Sequence, residues 1–107
     1  MDFNTLKIIF FYDKMTLSNE IQKFLDNQIE YYIQQAESYK ELAREYNPDA
    51  SSVQDTAFGI IIGCIYSSFI QTYANQNSTP SSQDVEEFTE LIIKNSKKIK
   101  ESTLVTD

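Results

Sequence analysis

The string EEFTE, Glu86 to Glu90, is where this sequence comes nearest to chemistry. On a helix Glu86 and Glu90 stand one turn apart with Glu87 beside them, and carboxylates so grouped can hold a hard divalent cation such as magnesium. The plainer reading is an acidic helix start, with Glu90 and Lys94 paired in the favourable i, i+4 order. Asp26 with Glu30, and the ladder Glu37, Glu41, Glu45, are two further acidic sets. Lys40 and Arg44 interleave with the ladder, so it reads as a solvated face. The lysines at 94, 97, 98 and 100 form a small basic cluster that complements a helix C-terminus.

In its carboxylate spacing EEFTE resembles the EExxE helix of the all-α nucleotide pyrophosphatases related to MazG, which hold magnesium. The resemblance covers five residues, and it implies a metal-dependent hydrolase using Glu86, Glu87 and Glu90. That family's pattern also has a second acidic element, ExxD, on a later helix. Here Glu101 is followed three residues on by Leu104, and no later helix is expected. The enzyme is therefore kept only as an alternative.

Other catalytic classes lose their residues outright. The chain has no histidine, which removes the usual acid/base at neutral pH and the commonest metal ligand. Cys64 is the lone cysteine, so an intrachain disulfide and a Cys-based zinc site are both excluded. There is no glycine-rich phosphate loop and no Ser/His/Asp set. The expectation is no catalysis and no cofactor.

A length of 107 residues sets one domain with one small core. Hydrophobic content of 41% and charged content of 23% are those of a globular chain. A net charge of −7 argues against nucleic acid, whose phosphates need clustered Lys and Arg. A single cysteine fits a reducing compartment, and a cytoplasmic location is expected.

Three helices account for nearly everything after Met15. The first is predicted from Ser18 to Tyr46, with Ser18 as N-cap and Glu20 in its first turn. Its apolar stripe follows three-and-four spacing from Ile21 to Tyr46 and includes Gln28 and Gln35. The second runs from Ser52 to Ala74 and the third from Ser82 to Ile99, separated by turns around Pro48 and Pro80. Loops this short imply antiparallel neighbours. The predicted fold is all-α: a three-helix up-down-up bundle over residues 16–101, possibly completed by dimerisation. At about 1.5 Å per residue the first helix would be about 43 Å long and the third only about 27 Å, which leaves one end of the first without an intrachain partner. Residues 102–107 are expected to fray.

The start of the chain is set apart. "MDFNTLKIIFFYDK" lacks a basic leader and a small-residue cleavage site, and its apolar run is too short to span a bilayer. Met15 opens "MTLSNE", which looks like a natural start. Residues 1–15 are expected to be a poorly ordered extension, or else an arm that docks on the bundle or on a partner.

The two glycines of the chain, Gly59 and Gly63, stand four residues apart inside the second predicted helix. Between Thr56 and Gln83 there is no charged residue, and the first half of that helix is apolar on nearly every side. A mid-helix glycine costs about 0.5–1 kcal/mol relative to alanine. Two of them imply close packing that a methyl group would block, through Gly59, Gly63 and Ser67 as a small groove. The groove's occupant is either a neighbouring helix of the same chain or the same helix of a second copy across a two-fold axis. The site predicted here is an interface of Gly59, Gly63, Ser67, Ile60, Ile61 and Tyr66, facing the protein itself or another protein subunit. The length of the helix would allow a membrane span. Ser67, Ser68, Gln71 and Thr72 and the lack of nearby Lys or Arg weigh against one.

Overall fold

The structure, a computed structural model, describes residues 16–105. These form four helices: α1 (Asn19–Gln34), α2 (Ala36–Tyr46), α3 (Val53–Ala74) and α4 (Ser82–Ser102). No strand occurs among the described residues. The fold is all-α, with four helices where three were expected. The predicted extension or arm, residues 1–15, lies outside the described residues.

Each boundary has a local cause. Ser18, Ser52 and Ser81 cap their helices, their Oγ atoms accepting from the N–H groups of Ile21, Asp55 and Asp84 at 3.2, 3.0 and 3.0 Å. These bonds satisfy N–H groups that a helix leaves without internal partners. At the end of α3, Ser78 N–H donates to the Tyr73 carbonyl at 2.9 Å and Asn77 N–H to that of Ala74 at 3.0 Å. This is the bond pair of a Schellman turn, and Asn77 takes the left-handed backbone it requires, with φ 55°. Asparagine fills a place often given to glycine, while both glycines stay in α3.

The extra helix comes from a break at Gln35. Its backbone sits at φ −96° and ψ 13°, and Ser38 N–H closes a tight turn onto its carbonyl at 3.0 Å. Neither proline nor glycine stands there, so local propensity does not announce the break. It coincides with a change of partners: α1 packs on both α3 and α4, whereas α2 packs mainly on α3. Gln35 is exposed at the bend and Gln28 half-buried, so they are not a buried polar pair.

The helix directions follow from long-range contacts. Leu17 N–H bonds to Glu87 at 3.0 Å, and Glu30 pairs with Lys98, so α1 and α4 run in the same direction. Tyr73 meets Asp84 at 3.1 Å while Gln54 reaches the Lys100 carbonyl at 2.9 Å, so α3 runs against α4. Between them lies the core of Leu17, Leu25, Ile29, Ile61, Ile65, Phe69, Phe88, Ile92 and Ile99. Phe69 is fully buried within it, stacked on Phe88 with ring centres 4.6 Å apart and edge-on to Tyr73 at 5.2 Å. Such pairs add to what burial alone contributes.

Fraying was expected over residues 102–107, of which 106–107 lie outside the described residues, and Ser102 and Thr103 belong to the packed fold. α4 continues to Ser102, and Thr103 is fully buried, its Oγ1 donating to the Lys100 carbonyl at 2.8 Å. Lys40, placed on a solvated face by its charge ladder, is instead buried. Its stem covers apolar surface while Nζ donates to the Leu104 carbonyl at 3.0 Å and pairs with Glu37. An ammonium there also meets the negative end of α4. Phe69→Ala should cost about 3–5 kcal/mol of stability, read as a lower urea midpoint. A cost below 1 kcal/mol would mean that Phe69 is not the centre of the core.

Candidate functional site

α3 presents two opposite faces. Ala57, Ile61, Ile65 and Phe69, at four-residue spacing, point inward and are fully buried. At about 100° per residue, Gly63 stands nearly opposite that line. Gly59, Gly63, Tyr66 and Ser67 are all exposed there, with Ile60 and Ile70 half-buried at the margins. Among the described residues, nothing comes within 4 Å of where a Cβ would sit on Gly59 or Gly63. None of the described helices fills the space beside the glycines, so the expectation that one of these neighbouring helices packs there is corrected.

Five of the six predicted interface residues share this outer region. Ile61 does not: it is fully buried between α3 and its neighbours. Of the bulky residues Phe58, Ile62, Ile65, Phe69 and Tyr73, which three-and-four spacing sets on one stripe of α3, Ile65 and Phe69 are fully buried and the other three half-buried. An apolar surface on nearly all sides gives no contrast from which to choose the inner face. Tyr66 shows the division well. Its ring packs edge-on against Phe88 at 5.6 Å, yet 45% of the residue remains open to solvent.

The glutamates of EEFTE are separated by what they touch. Glu86 and Glu90 are exposed, whereas Glu87 is turned inward and buried. Its Oε2 accepts from Leu17 N–H at 3.0 Å and from Thr16 Oγ1 at 2.7 Å. Thr16 N lies 2.7 Å from Oε1 and 3.0 Å from Oε2. The single hydrogen of the Thr16 hydroxyl is shared between Glu87 and Asp84, and Asp84 also accepts from the Tyr73 hydroxyl at 3.1 Å. Among the described residues no three His, Cys, Asp or Glu side chains converge on a point that could hold a metal ion. A shallow depression of about 500 Å³ beside Glu37, Glu41 and Glu45 is lined by α2 alone.

This carboxylate network escaped the sequence reading. Asp84 was legible as a first-turn acid, but nothing in the string shows that Thr16 and Leu17 return to α4. Burial pushes the Asp84 carboxyl up, but hydrogen bonds from Thr16, Tyr73 and Ser81 outweigh it and hold the group below its ordinary value. Tyr73 is pushed up to about 12, by burial first, then by its bond to Asp84 and the charges of Asp84 and Glu87.

Compared with protein-family models, curated proteins and solved structures, the chain matches none.

Two outcomes follow from this geometry. The fold favours neutral Tyr73, so that contribution is complete below the ordinary tyrosine value of about 10 and is lost as pH rises through about 12. Tyr73→Phe should flatten the alkaline limb of a stability–pH curve over that window; an unchanged limb would contradict the Tyr73–Asp84 bond. In dilute monomeric solution Gly63→Ala should stabilise the fold by about 0.5–1 kcal/mol. A destabilised Gly63→Ala monomer would mean that part of the chain occupies the groove.

Proposed function

We propose that this chain is a non-catalytic helical interaction module, and that the outer face of α3 pairs with the same face of a second copy across a two-fold axis. The observation that carries the reading is the open space above both glycines. Packing among the described residues does not offset their intrinsic cost in a helix, and a close contact with another molecule would. An isologous contact needs a self-complementary patch, and a groove of Gly59, Gly63 and Ser67 flanked by Ile60 and Tyr66 is one. Charge supports a second copy as well. Two chains of net charge −7 repel each other, and α3 from Ala57 to Ala74 is a surface on which neither carries any charge. Pairing there would complete the four-helix chain as a dimer or as a subunit of a larger assembly. The cytoplasmic location, resting on the single cysteine, is part of the same proposal.

A second reading, membrane association, draws on one observation. Val53–Ala74, with 22 residues, is long and apolar enough to cross a bilayer, and 22% of an 18-residue window on it is buried within the chain. A span would have to withdraw Ile61, Ile65 and Phe69 from Leu25, Ile29, Phe88 and Ile92, opening the core. Association through the outer face leaves that core closed, and is preferred.

Light scattering should give twice the chain mass for the wild type and the single mass for Gly63→Leu. Because the space above Gly63 is open, the variant should keep the helical circular dichroism and cooperative unfolding of the wild type. A wild-type monomer at all accessible concentrations, or a Gly63→Leu dimer, would overturn the pairing.

A further inference from the structure

α4 sorts its charged side chains by direction. Glu87 is turned toward Leu17, Asp84 meets Tyr73, Lys98 pairs with Glu30 of α1, and Lys100 lies 3.4 Å from Asp55 of α3. These contacts tie α4 to the rest of the chain. Glu86, Glu90, Ile93, Lys94 and Lys97 are exposed on the side away from the core line of Phe88, Ile92 and Ile99. Ile93 is the apolar member of this set, 65% open to solvent.

Along the helix the outer set reads as two acids, an isoleucine and two lysines. The helix dipole accounts for Asp84 in the first turn and Lys100 in the last. Its influence falls off within a turn of either end, and Glu90 and Lys94 stand in the middle of the 21-residue helix. The dipole therefore does not set their order.

A line that is negative in one half and positive in the other complements itself when reversed. Let a second α4 lie antiparallel to the first, across a two-fold axis level with Leu91 and Ile92. Glu86 then faces Lys97 of the second copy, Glu90 faces its Lys94, and the two Ile93 side chains meet beside the axis. Each ion pair occurs twice. Glu101, exposed near the end of the helix, falls opposite Ser82, which is neutral.

We propose that the outer face of α4 is a second self-association surface, and that it takes α4 of another copy in antiparallel orientation. This contact goes beyond the pairing through α3 and does not depend on it. Exposed ion pairs around one apolar side chain each contribute little, so the contact is weak and salt-sensitive. Its charge pattern sets orientation more than affinity, and the mass of a dilute solution is left to the α3 contact. The outer faces of α3 and α4 belong to different helices around one core, so a chain can engage both. At low salt and high concentration, chains paired through α3 join through α4 into larger assemblies.

The test traps the contact covalently. In the full chain carrying Cys64→Ser and Gly63→Leu, which removes the α3 pairing, Ile93→Cys supplies the single thiol. With added oxidant at an ionic strength of about 0.01 M, where charges act over about 30 Å, an intermolecular disulfide should form. Lys97→Glu should slow its formation about tenfold, through the two pairs it turns repulsive. Glu86→Lys should slow it as much, although it lowers the net negative charge of the chain. The two changes together keep the net charge at −7 and should restore the starting rate. Glu86 and Lys97 stand about 16 Å apart along their own helix, too far to touch, so the recovery can come only from opposite copies. Both positions are exposed, and every variant should keep the helical circular dichroism of its parent. No disulfide at Ile93→Cys, a rate unmoved by either single change, or no recovery in the double change overturns the proposal. Those outcomes leave the α3 pairing standing, because it is absent from every chain in the series.

Discussion

The inner face of α3 holds the molecule together. Ile61, Ile65 and Phe69 meet Leu25 and Ile29 from α1 and Phe88, Ile92 and Ile99 from α4, and the Phe69–Phe88 stack lies within this seam. Burying a side chain of this size contributes on the order of 1.5–3 kcal/mol, so a few such residues decide whether a chain this short folds. Every other helix packs on α3. The polar ties at the periphery fix ends and register: Lys40 on the Leu104 carbonyl, Gln54 on that of Lys100, Glu87 on Leu17.

The same helix creates the molecule's unfinished surface. It is uncharged and apolar nearly all round, yet the other three helices cover only its inner side. A soluble helix of that kind is ordinarily buried on every side. Among the described residues nothing comes within 4 Å of a Cβ built on Gly59 or Gly63, so this side of α3 stands open to them. Core and candidate site are thus opposite faces of one element, and whatever anchors α3 inside also orients the groove outside.

Much of this was legible in the sequence. Ser18 was read as a cap, the helices at either side of Pro48 and Pro80 were placed, and Gly59, Gly63 and Ser67 were grouped on one stripe. What could not be read depends on tertiary geometry. The break at Gln35 has neither proline nor glycine to signal it and reflects a change of packing partners. Ile61 was set in the interface because an all-apolar helix shows no moment by which to tell inside from outside. Lys40 was taken for a solvated charge, since nothing local reveals that the end of α4 returns to meet it. Glu87 was grouped with Glu86 and Glu90 by spacing, and only the fold turns it toward Thr16 and Leu17. In each case the missing information was which distant segment lies opposite.

The most direct test of the association face is a proximity measurement between copies. In a Cys64→Ser background, a single cysteine at Ser67 should form an intermolecular disulfide rapidly under mild oxidation. One at Glu45, exposed on α2, should remain a free thiol. Equal crosslinking at the two positions, or none at Ser67 at concentrations where the chain is dimeric, would contradict pairing through the glycine face of α3.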